Sequence, residues 1–144
     1  MIEGGTNKAK KELSAAPDSK TILIVEDDDH LRNYLAELLE LSGFRVILAE
    51  DGNQGFYKFQ KYRPELVLTD VVLPGRDGIS LTVRFKKICP EVLVIAMSGR
   101  WPNDAEVDCA ESVGFLGVDK VLAKPFSAKE LKTAIVDVMG LELA

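Results

Sequence analysis

Residues Thr21–Asp29 read TILIVEDDD: five apolar or β-branched residues followed without a break by four acids. The apolar part is too short to be a helix with one buried stripe, and its apolar residues are adjacent, so both faces call for cover. Such a strand belongs inside a parallel sheet flanked by helices. Four more runs share the pattern: RVILA at Arg45–Ala49, LVLT at Leu66–Thr69, VLVIA at Val92–Ala96 and VLA at Val121–Ala123.

The segments between these runs have helical spacing. Leu31, Tyr34, Leu35, Leu38 and Leu39 form one stripe, ending at Gly43, a residue suited to a left-handed helix stop. Phe56 and Phe59 with lysine-rich neighbours predict a second helix, Ile79 to Ile88 a third halted before Pro90, and Ala105 to Ser112 a fourth. Ser127 and Glu130 stand at capping-box spacing and open a fifth, which runs through Met139 and stops at Gly140. Strand and helix alternate five times, which predicts a doubly wound α/β domain: a five-stranded parallel sheet with helices on both faces. Residues 1–19 hold almost no bulky apolar side chains and are expected to be a flexible tail, with the domain occupying 20–144.

Composition narrows the function. The chain has 144 residues, 47% hydrophobic and 28% charged, with a formal net charge of -5. A domain of this size needs neither disulfides nor a structural metal to hold its core. Cys89 and Cys109, far apart and in no metal-binding pattern, are expected to be free thiols in a reducing, cytoplasmic compartment. Nothing approaches the length of a membrane helix, and no export signal follows the lysine-rich start. Net acidity argues against direct nucleic-acid binding.

Ligands of open parallel sheets bind beyond the carboxyl ends of the strands. The first run leads into Glu26 and Asp27, the third into Asp70, the fourth into Ser98-Gly99 and the fifth into Lys124-Pro125. Each has an ordinary reading: the acids can be a solvated loop or helix start, Asp70 and Ser98 turn residues, Lys124 an exposed loop. Together they converge on one sheet edge. Clustered hard oxygen ligands suit Mg²⁺, which takes few carboxylates and keeps several waters. A magnesium site beside a hydroxyl and an ammonium suits a phosphoryl group, with Asp70 the carboxylate nucleophile.

These residues resemble the receiver domain of bacterial two-component response regulators, over about Lys20 to Gly140. The resemblance rests on ILIVEDDDHLR with Glu26 and Asp27, LVLTDVVLPGRDG with Asp70, VIAMSG with Ser98, and GVDKVLAKPFS with Lys124. It implies strand order 2-1-3-4-5 and phosphorylation of Asp70 from a phosphohistidine on a sensor histidine kinase or histidine phosphotransfer protein. It also implies a downstream protein target, a monomer or weak dimer, and a module that catalyses only its own phosphorylation and dephosphorylation. By position, Glu26, Asp27, Asp70 and the Val72 carbonyl would hold Mg²⁺, Ser98 and Lys124 would contact the phosphoryl oxygens, and Lys124-Pro125 would be cis.

Departures from the family pattern concern the output. Val121 stands where receivers usually carry an aromatic switch residue, and the segment from Ser98 to Lys124 is a few residues longer than usual, with Arg100-Trp101-Pro102-Asn103. Trp101 is read as cover over the fourth helix, with a partner anchor as the alternative. His30 is expected at the surface near the start of the first helix, Met97 and Phe126 as packing at the strand ends, and Asp77 as a turn residue. The rival function is a Mg²⁺-dependent phosphatase or phosphotransferase of small molecules. Haloacid-dehalogenase-type enzymes need a second acid two residues beyond the nucleophile, and here Val72 occupies that place.

Overall fold

The structure, a computed structural model, describes residues 20–73, 78–99 and 117–141. The tail at 1–19, Asp77, the expected helix at 105–112, Trp101 with its neighbours, and Cys109 lie outside the described residues. In chain order the elements are β1 (Thr21–Val25), α1 (Asp29–Leu41), β2 (Arg45–Ala49), α2 (Gly52–Tyr62), β3 (Leu66–Asp70), α3 (Gly78–Ile88), β4 (Leu93–Ser98), β5 (Lys120–Ala123) and α4 (Ala128–Met139). All strand pairs are parallel, and the sheet order is β2-β1-β3-β4-β5.

The strands alternate their side chains between two cores, as a period of two requires. Ile22, Ile24, Leu66 and Leu68 meet Leu35 and Leu39 of α1 and Leu131 and Ile135 of α4 on one side. Leu23, Val25, Val67 and Val94 meet Phe59 of α2 and Leu81 and Phe85 of α3 on the other. Phe59 and Phe85 stack with ring centroids 4.3 Å apart, tying α2 to α3. Truncating either ring to alanine would cost about 3–5 kcal/mol by the usual behaviour of buried aromatics.

Caps fix where α1, α2 and α4 begin. Asp28 accepts hydrogen bonds from the amides of His30 and Leu31 at 2.9 and 3.1 Å, and Asp51 accepts from Gln54 at 2.8 Å. Ser127 and Glu130 form the expected reciprocal capping box, and Gly140 ends α4 at φ 67°. Tyr34 departs from expectation. It borders the α1 stripe, but the residue is 48% exposed, and Ala36 is buried instead. β4 also runs further than the apolar run alone indicates, because the ladder to β5 continues to Ser98, which pairs with Ala123. Cys89 is a free thiol, His30 lies exposed in the first turn of α1, Met97 is fully buried and Phe126 packs at the core's edge.

Candidate functional site

The ends of β1, β3 and β4 and the residue after β5 share one edge of the sheet. Glu26 directly follows β1 and turns inward, with 1% exposure; Asp70 closes β3 and is also buried. Three backbone bonds hold the edge together: Glu26 N to the Ala49 carbonyl at 3.0 Å, Val71 N to the Met97 carbonyl at 3.0 Å, and Lys124 N to the Ser98 carbonyl at 2.7 Å. Strand ladders thus carry residues remote in sequence into one site.

At its centre is an ion-paired triad. The Lys124 ammonium donates to Glu26 Oε1 at 2.9 Å and to Asp70 Oδ2 at 2.6 Å. The second oxygen of each carboxylate takes a backbone amide: Asp28 N donates to Glu26 Oε2 and Val72 N to Asp70 Oδ1, both at 3.1 Å. Arg32 Nη1 donates to the Glu26 carbonyl at 2.8 Å and also pairs with Asp29. Desolvation by burial raises the Glu26 pKa above the usual glutamate range, against the opposing pull of Lys124. Burial works to lower the Lys124 pKa, but its hydrogen bonds to Asp70 and Glu26 outweigh it and hold the ammonium above the usual lysine range. Asp28, fully exposed, is held low, first by the Leu31 amide and then by that of His30.

Glu26, Asp27 and Asp70 each offer a carboxylate oxygen within 4.8 Å of the others. Three carboxylates facing one ammonium leave an excess negative charge. Burial is the main cause of the raised Glu26 pKa, with the Asp70 charge a small addition, and an added cation would favour the ionised form. The donors are all hard oxygens, so the chemistry fits a hard divalent ion. Val72 lies immediately beyond the triad, 63% exposed. Ser98 is buried at the end of β4, its hydroxyl donating to the Gly99 carbonyl at 3.3 Å. The Lys124-Pro125 peptide is cis.

Three contributors were not singled out in the sequence. Arg32 supports the Glu26 backbone from α1, and no spacing rule marks it. Asp28 is the α1 cap; an acid three residues before the first apolar helix position is the signal that could have found it. Gly78 lies so close to the end of β3 that a Cβ there would overlap the Asp70 carbonyl oxygen and approach its carbon to 2.9 Å.

A five-stranded parallel sheet with an acid-and-lysine cluster at its carboxyl edge defines a class of signalling domain, and the comparisons identify it. The chain belongs to the response regulator receiver domain family, whose model matches residues 22–136. It is 33% identical over 114 residues to the phosphate regulon transcriptional regulatory protein PhoB of Pseudomonas aeruginosa, covering 78% of this chain and 48% of that protein. Identity to sporulation initiation phosphotransferase F of Bacillus subtilis is also 33%, over 86% of this chain and 97% of that one. A response regulator receiver domain protein from Clostridium thermocellum superposes with TM-score 0.77 at 27% identity, covering 84% and 94% of the two chains. The chain thus spans about half the length of some curated relatives and nearly all of others.

Proposed function

We propose that this domain is the phosphoacceptor of a two-component phosphorelay, with Asp70 as the acceptor. The observation that carries the reading is the Lys124 ammonium bridging Asp70 and Glu26 at 2.6 and 2.9 Å within a three-carboxylate cluster. An Asp70 oxygen attacks the phosphorus of a partner's phosphohistidine. The P–N bond breaks, and its electron pair leaves with the imidazole nitrogen, which takes up a proton where needed to restore a neutral ring. The product is an acyl phosphate on Asp70, and attack by water on phosphorus later returns the carboxylate and inorganic phosphate.

Lys124 orients the nucleophile before transfer and neutralises phosphoryl oxygens afterwards. Ser98 supplies a hydroxyl to the same group, and the Val72 amide fixes the Asp70 rotamer. Glu26, Asp27, Asp70 and the Val72 carbonyl would hold Mg²⁺, which when bound supplies positive charge against the transferred group's oxygens. With Val72 rather than an acid two positions beyond Asp70, the domain lacks the second catalytic carboxylate of the phosphatase alternative, and we assign it no turnover of outside substrates.

A cleft of about 440 Å³ lined by Leu31, Tyr34, Gly99, Lys124, Pro125 and Phe126 opens beside the triad. Its apolar wall and exposed Tyr34 suit docking of a sensor histidine kinase or histidine phosphotransfer protein. The domain is assigned to 20–144, with 1–19 as a tail and a downstream protein as its target. Among the described residues no helix is long and apolar enough to cross a membrane. The two separated thiols support a cytoplasmic setting.

Incubation with acetyl phosphate and Mg²⁺, read by intact-mass spectrometry, tests the reading. One acid-labile, hydroxylamine-sensitive phosphoryl group is expected, and none in Asp70→Asn. Fast multiple turnover of p-nitrophenyl phosphate would favour the phosphatase alternative instead.

A further inference from the structure

Charge is segregated across the sheet. α1 carries Asp29, Glu37 and Glu40 against Arg32, and α4 balances Lys129 and Lys132 with Glu130 and Asp137. On the opposite side, α2 and α3 carry Lys58, Lys61, Arg84, Lys86 and Lys87 without a single acid. This basic face sits on a chain whose net charge is -5.

Not all of these cations are available. Lys86 is held inward by Asp119 at 2.9 Å and the Val92 carbonyl at 2.5 Å. Lys58 donates to the Leu48 carbonyl at 2.6 Å, a bond that leaves its charge uncompensated. Among the described residues Lys61, Arg84 and Lys87 make no ion pair, and all three are exposed. Lys61 lies 5.8 and 5.3 Å from the ring centroids of exposed Tyr57 and Tyr62. The Arg84 guanidinium lies 4.5 Å over the Phe56 ring.

Between the two helices, Phe56, Arg84, Lys87 and Ile88 enclose a cleft of about 290 Å³. Its apolar sides come from Phe56 and Ile88, and two cations border it. There is room for one aromatic or branched aliphatic side chain with carboxylates on either side.

We propose that the α2/α3 groove docks an acidic protein segment that places one large apolar side chain between Phe56 and Ile88, with its carboxylates on Arg84 and Lys87. Charge complementarity selects the partner: an acidic segment is steered to the α2 and α3 helices, which carry exposed cations and no acids of their own. The concave apolar floor favours a peptide over a nucleic-acid backbone, which offers no such side chain, and the net negative charge resists an extended polyphosphate. Arginine and tyrosine are also the side chains that dominate binding energy at protein interfaces. This surface does not include Asp70, so the proposal stands independently of the phosphoacceptor reading.

Fluorescence anisotropy with a labelled peptide of Asp and Glu around a central Phe-Leu pair tests it against the full chain. Saturable binding is expected, weakened about tenfold when Phe-Leu becomes Gly-Gly and about tenfold in Arg84→Glu/Lys87→Glu. Lys87→Glu alone should weaken it about threefold and serves as the milder variant if the double one misfolds by circular dichroism. A lack of saturation, or equal affinity in folded Lys87→Glu, overturns the proposal. Tighter binding of single-stranded DNA than of the peptide, lost in the same variants, overturns it in favour of nucleic acid.

Discussion

Replacing Lys124 by methionine removes the ammonium from between two buried carboxylates while roughly preserving the side-chain stem. The lost contacts are those at 2.9 Å to Glu26 and 2.6 Å to Asp70. Two carboxylates with oxygens at the 4.8 Å limit of the cluster repel by about 3 kcal/mol at an effective dielectric near 20. Removing one partner of a buried pair typically costs about 3–5 kcal/mol. Lys124 is still 22% exposed, which screens the interaction, and Glu26 can relieve the repulsion by taking a proton. The expected destabilisation in EDTA near neutral pH is therefore about 2–3 kcal/mol, or about 6–12 °C in Tm for a domain of this size. Urea unfolding followed by far-UV circular dichroism measures it. The deficit should shrink as pH falls and Glu26 takes up a proton, and a double-mutant cycle with Glu26→Gln should show coupling above about 1 kcal/mol. An unchanged urea midpoint for Lys124→Met, or additive single and double variants, would refute the reasoning.

Other consequences are as direct. The Glu26 pKa is raised on folding, so its stabilising contribution is complete below the unfolded glutamate pKa and is lost as pH rises through the folded one. In EDTA, Glu26→Gln should gain stability relative to the parent as pH rises from the usual glutamate range through the raised folded pKa; parallel urea midpoints across that rise would contradict this. The Lys124 pKa is raised too, so its contribution holds below the usual lysine range and fades as pH climbs through the folded value, an alkaline loss absent from Lys124→Met. Gly78→Ala forces a Cβ onto the Asp70 peptide and 3.1 Å from Val71 Cα, backbone that cannot rotate aside. It should cost about 1–3 kcal/mol by urea titration and slow labelling by acetyl phosphate, despite alanine's better helix propensity. Ser127→Ala removes the hydroxyl that accepts from Glu130 N at 3.0 Å and should cost about 1 kcal/mol by the same titration.

The strands were legible because β1 and β3 are buried on both faces, so burial writes itself as uninterrupted apolar runs. β4 was harder to delimit: its apolar run begins at Val92, but the ladder starts one residue later and extends to Ser98 because strands flank it on both sides. Convergence of Glu26, Asp70 and Lys124 followed from reading what comes after each run. The four acids from Glu26 to Asp29 could not be told apart by type. Backbone direction separates them: Glu26 points inward, Asp27 stays exposed, Asp28 caps α1 and Asp29 pairs with Arg32. The constraint on Gly78 depends on a close approach between the start of α3 and the end of β3, which no local pattern encodes. Val121 pairs with Ala96 and packs beside Val71, so the position where the sequence departs from the family's aromatic pattern is filled by an aliphatic contact.

The most direct test of the central claim is to locate the phosphoryl linkage itself. Borohydride reduction of the acetyl-phosphate-treated protein converts an aspartyl phosphate into homoserine, which peptide mass spectrometry can place. Homoserine at position 70, dependent on Mg²⁺, is the predicted result. Homoserine at Asp27 or Asp28 instead, or none anywhere in a protein shown to carry phosphate, would contradict the assignment of Asp70 as the acceptor.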